Sequence, residues 1–100
     1  MQTITIKPVV YNLLRELSIR NIPELIRDTL VTEILAKIYG FSEQVNHFEK
    51  KYHKALDNFS EEYENGEEDF EKYDDLMAWE FAYQGKVYWE LKLKEAKNVL

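Results

Sequence analysis

The chain has 100 residues, 45% hydrophobic and 32% charged, with a formal net charge of −6 and no cysteine. That length suits one domain, or one small domain with an arm. The absence of cysteine excludes disulfides and thiolate metal sites, and no apolar run approaches the roughly 18 residues of a membrane span.

The amino end lacks a basic region followed by an apolar core, so no signal peptide is expected and the cytoplasm is the expected location. Three glycines and two prolines leave little turn chemistry, which favours a mostly helical chain. Charge is unevenly spread. Residues 1–40 carry five cations and four anions, with all three arginines, whereas residues 41–100 carry eight lysines against fifteen acids. Such a split points to different partners for the two parts, or simply to two solvated faces.

Thr3-Ile4-Thr5-Ile6-Lys7 alternates polar and apolar residues and is closed by Pro8. That period predicts a short strand with one buried face. One such strand cannot satisfy its own backbone, so its expected partner is the same strand of a second copy. A two-stranded ribbon also fits the DNA major groove.

Beyond Pro8, the positions Val9, Val10, Leu13, Leu14 and Leu17 have helical spacing, and proline is well suited to a helix start. The pattern weakens at Ser18-Ile19-Arg20. Asn21-Ile22-Pro23-Glu24 has the form of a capping box, in which Asn21 caps Glu24 and Glu24 reaches back. A second helix with Leu25, Ile26, Leu30, Ile34, Leu35 and Ile38 on one face is then expected to stop at Gly40. Two such short helices need either a second copy or the C-terminal part to bury their stripes.

Ser42 is placed to cap a third helix, from Glu43 to about His53, with Phe41, Val45, Phe48 and Tyr52 on one stripe. A fourth segment carries Leu56, Phe59 and Tyr63 and ends at the turn signal Asn65-Gly66. Residues 61–75 hold nine acids and one lysine, the composition of a solvated surface or hinge.

The last helix is expected over Asp74 to Asn98. One of its stripes is Phe70, Tyr73, Met77, Phe81, Tyr88 and Leu91, and another is Leu76, Trp79, Tyr83 and Val87. A helix apolar on more than one face is buried on more than one face. The second burying surface is therefore another molecule, or these aromatics join Phe48, Tyr52, Phe59 and Tyr63 in a hairpin core. Gly85 weakens this helix by about 1 kcal/mol relative to alanine unless another chain approaches closely there.

Residues 2–39 resemble a ribbon–helix–helix DNA-binding domain: a strand ending in proline, a first helix, a short capped turn, and a second helix opening Asn21-Ile22-Pro23-Glu24-Leu25-Ile26. The resemblance implies a mainly α, dimeric fold with an N-terminal strand and two helices, followed by a helical C-terminal arm or hairpin. It implies a homodimer through residues 3–7 and the next two helices. Thr3, Thr5 and Lys7 would read operator DNA, and Asn21 and Ile22 would hold a phosphate at the second helix's N-terminus. The family's usual turn glycine is replaced here by Ile19-Arg20.

The segments around His47–Tyr52, Glu67–Phe70 and Asp74–Phe81 resemble antitoxin-like proteins of prokaryotic toxin–antitoxin modules. What that implies is a division into a DNA-binding dimerisation domain over 1–40 and an acidic partner-binding arm over 41–100. The protein would repress its own operon, and Trp79, Phe81, Tyr83, Tyr88 and Trp89 would anchor a cognate toxin. The competing expectation is a helical homodimeric protein–protein interaction module with no DNA-binding activity.

Enzyme signals are lacking: there is no Gly-rich phosphate loop, nucleophile elbow or His-Glu-x-x-His. His47 and His53 lie six apart and do not share a helix face as an i, i+4 metal pair would. Neither a catalytic site nor a metal or cofactor is expected.

Overall fold

The computed structural model describes residues 5–99. They form four helices: α1 (Pro8–Glu16), α2 (Ile22–Tyr52), α3 (Leu56–Asn65) and α4 (Phe70–Val99). The mainly α expectation stands, but there is no strand among the described residues. Thr3 and Ile4 of the expected strand lie outside the described residues. Thr5, Ile6 and Lys7 are neither helix nor strand, and α1 begins directly at Pro8. The ribbon is therefore corrected. Three residues leading into a proline-started helix have no neighbouring strand in this chain to pair with, and their alternation is too short to hold a strand alone.

α1 ends in a Schellman motif. The Ile19 N–H bonds the Leu14 carbonyl at 2.8 Å and the Ser18 N–H bonds that of Arg15 at 3.0 Å. Ser18 takes the left-handed conformation (φ 61°) that a glycine usually supplies, so the turn forms without one. Asn21 then caps α2, its side chain accepting the Glu24 N–H at 2.8 Å. The return bond from Glu24 is not made.

α2 does not stop at Gly40. It runs through 31 residues to a left-handed C-cap at His53, absorbing the expected third helix and crossing the division at residues 40 and 41. The reason is tertiary. Ile34, Ile38, Phe41, Val45, Phe48 and Tyr52 recur at alternating steps of four and three, the spacing of a seam packed against a second helix. Burying that seam outweighs the cost of about 1 kcal/mol for glycine in a helix.

The facing element is α4, 30 residues long and antiparallel to α2. Tyr52 meets Asp75, Phe48 meets Trp79, and Phe41 lies over Gly85, so numbers fall on one helix as they rise on the other. α4 starts four residues earlier than expected because Asp69 caps it, accepting the Lys72 N–H at 3.1 Å. α3 closes one end of the hairpin. The core consists of Val45, Phe48, Phe59, Leu76, Trp79 and Ala82, flanked by Phe41, Tyr52, Leu56 and Tyr63.

The molecule is a rod of 66 × 28 × 21 Å with a radius of gyration of 20.7 Å. A compact chain of this length would have a radius near 13 Å. No helix among the described residues is long and apolar enough to cross a membrane.

Candidate interaction surfaces

Trp79 is the centre of the hairpin and is fully buried. Phe48 stacks on it at 5.7 Å between ring centroids, Phe59 lies tilted at 5.4 Å, and Tyr52 stacks at 6.2 Å. Its indole N–H has no acceptor, so the site is held by aromatic packing against an unmet polar group. Trp79 therefore serves the core and offers nothing to a partner. Trp89 is half-buried, while Phe81, Tyr83 and Tyr88 are exposed, so three of the five expected anchors reach the surface. The stripe expected from Leu76 and Trp79 to Tyr83 and Val87 turns away from the core after Trp79: Ala82 is buried there, and Tyr83 and Val87 face solvent.

Gly85 has an internal purpose. A Cβ at that position would lie 2.6 Å from the Phe41 ring. The ring sits directly on the α4 backbone and meets Phe81 edge-on at 5.9 Å. The glycine admits a side chain of its own chain.

One polar cluster ties α2 to α4. The Lys51 ammonium donates to Asp75 at 2.6 Å and to Glu71 at 3.1 Å, and the Tyr52 hydroxyl also donates to Asp75. Burial pushes the Asp75 carboxyl up, but the bonds from Lys51 and Tyr52 outweigh it and hold it below the ordinary value. The bonds to Asp75 and Glu71 raise Lys51. Burial, then the bond to Asp75, raises Tyr52. This is a structural clasp at the closed end of the hairpin. His47 and His53 are both exposed, and no group of three metal-binding side chains occurs among the described residues.

Two large apolar surfaces remain uncovered. The first is the arm, residues 8–30. α1 has no buried residue. Val9, Val10, Tyr11, Leu13 and Leu17 face solvent along it, Leu17 at 70%, and Ile26 and Leu30 continue the surface on α2. Beneath them Tyr11, Leu14, Ile19 and Ile22 line an open groove of about 360 Å³. The second is the outer face of α4, where Phe70, Tyr73, Met77, Phe81, Tyr88 and Leu91 form one exposed stripe.

Of the expected DNA-contacting residues, Thr3 lies outside the described residues, and Thr5 and Lys7 are exposed in the segment before α1. Asn21 and Ile22 do lie at the start of α2. There the Glu24 N–H is taken by Asn21, the Leu25 N–H by the Asn21 carbonyl, and Pro23 has none. With Glu24 in the first turn as well, little is left to hold a phosphate. The sequence signal that would have located the hairpin is the four-three alternation from Ile34 to Tyr52, which crosses Gly40 without a break.

No family model matches the chain, and no curated protein and no solved structure matches it.

Proposed function

We propose that the protein is a helical homodimeric protein–protein interaction module that self-associates through its arm, residues 8–30. The observation that carries this reading is that α1 buries none of its side chains while Val9, Val10, Leu13 and Leu17 face water. A nine-residue helix is too short to persist on its own propensity. Apolar contact with another surface is what stabilises such a helix, and large exposed apolar patches mark interaction sites. Total exposed surface supports the same view. It is 8248 Å², against about 6,000 Å² for a compact monomer of this length. The surplus of about 2,000 Å² exceeds the roughly 800 Å² that each partner gives to a standard interface.

Operator binding is not carried forward, because no strand of the expected ribbon occurs among the described residues. Light scattering on the full chain tests the module. The expected mass is a multiple of the chain mass, and Leu13→Glu with Leu17→Glu lowers it while helicity persists. A monomer at all concentrations, or a mass unchanged by the pair of substitutions, overturns the reading.

A further inference from the structure

We propose that the outer face of α4 seats a second copy of this chain, the two α4 helices running antiparallel across a two-fold axis near Phe81. The residues are not those of the arm, so this surface and the arm dimer stand or fall separately.

Three observations carry it. The first is the pattern. Phe70, Tyr73, Met77, Phe81, Tyr88 and Leu91 repeat at steps of three and four, interrupted only by Gln84. That is a seam spacing, on an exposed face of α4 distinct from the buried Leu76, Trp79 and Ala82, with Phe81 at its edge also meeting Phe41 of α2. From Phe70 to Leu91 it runs about 31 Å at the rise of an α-helix.

The second observation is self-complementarity. Rotation about a two-fold near Phe81 brings Phe70 opposite Leu91, Tyr73 opposite Tyr88, and Met77 opposite Gln84. A two-fold interface uses the same patch on both copies, and this patch has its bulk distributed evenly about its middle.

The third is charge. Residues 67–75 carry six acids against Lys72, and residues 92–97 carry three lysines against Glu95. Between these ends Glu80, Lys86 and Glu90 leave a net charge of only −1. Within the chain, Lys51 occupies Glu71 and Asp75, and Lys92 pairs with Glu95 at 3.3 Å. Glu67, Glu68 and Asp74 at one end, and Lys94 and Lys97 at the other, are left over. Parallel pairing sets like charge on like. Antiparallel pairing brings Lys94 of one copy toward Glu67 and Glu68 of the other, and does so twice by symmetry. A basic partner protein would suit only the acidic end.

The test uses the full chain. Tyr88→Glu with Leu91→Glu lowers the assembly mass while the circular dichroism of the hairpin persists. Phe70→Glu, at the opposite end and 77% exposed, does the same. Combining Tyr88→Glu and Leu91→Glu with Leu13→Glu and Leu17→Glu leaves a monomer. Lys94→Glu alone weakens association about tenfold, and adding Glu67→Lys and Glu68→Lys restores it.

With no native cysteine, a single spin label at Asn98→Cys reads the direction. In the Leu13→Glu, Leu17→Glu background, antiparallel pairing places the two labels about 52 Å apart, and parallel pairing places them within about 20 Å. The proposal is overturned by a short distance, by no dipolar coupling at all, or by a mass that ignores Tyr88→Glu with Leu91→Glu. That last result leaves the face to a different partner.

Discussion

The hairpin and the arm are both helical and both rich in branched aliphatics, yet only the hairpin has a core. From Ile34 to Tyr52, α2 buries one stripe against α4, and Trp79 is wholly enclosed. From Pro8 to Leu30 the apolar side chains are as numerous, yet none is buried: Leu14, Ile19, Ile22 and Leu25 are half-buried and the rest are exposed. Helix formation and burial are thus separable in this chain. The hairpin is stabilised by its own packing, whereas the arm has helical signals, a Schellman motif and an Asn21 cap, but no buried side chain on α1.

The largest break in that contrast comes from Trp79→Ala. Removing a buried indole should cost about 3–5 kcal/mol, read as a lowered denaturant midpoint with the slope unchanged. Leu17→Ala, on a residue 70% exposed, should leave the midpoint of the non-associated chain within about 0.5 kcal/mol. Equal effects from the two would deny the division.

Two glycines sharpen the comparison further. Gly85→Ala should destabilise by about 1–2 kcal/mol, because a methyl group there collides with Phe41 and overpacking outweighs the helix gain. Gly40→Ala meets nothing within 4 Å and should stabilise by about 0.5–1 kcal/mol. Thermal unfolding of the two variants should shift in opposite directions.

The smallest effect is electrostatic. Asp75 is held below its ordinary value, so its contribution is full above the usual carboxylate range and is lost as pH falls through the depressed value. Acid titration below about pH 4 should weaken the closed end of the hairpin by less than about 1 kcal/mol, since Lys51 and Glu71 are exposed. Asp75→Asn should flatten that part of the pH profile.

Much of this was legible in the residues. Pro8, Asn21 and Asn65-Gly66 mark boundaries that the structure keeps. The alternative that Trp79 joins Phe48, Tyr52 and Phe59 was also visible, and it holds. The strand was misread because five alternating residues carry the same pattern whether or not a partner strand exists. Gly40 was misread because glycine is a local stop signal, and the seam that overrides it is made with residues some forty positions away. Trp79 and Tyr83 looked alike on a stripe, and only the direction of α2 separates the buried one from the exposed one.

What the sequence by itself determined is the helical character, the caps and turns, and the excess of apolar side chains over what one small core can hide. These follow from backbone preferences and spacing within a few residues. Only the tertiary structure decided which stripe of α4 is spent on α2, that α2 is one rod through Gly40, and that the arm and the outer face of α4 are left open. Those outcomes depend on burial between segments distant along the chain, which no local pattern encodes.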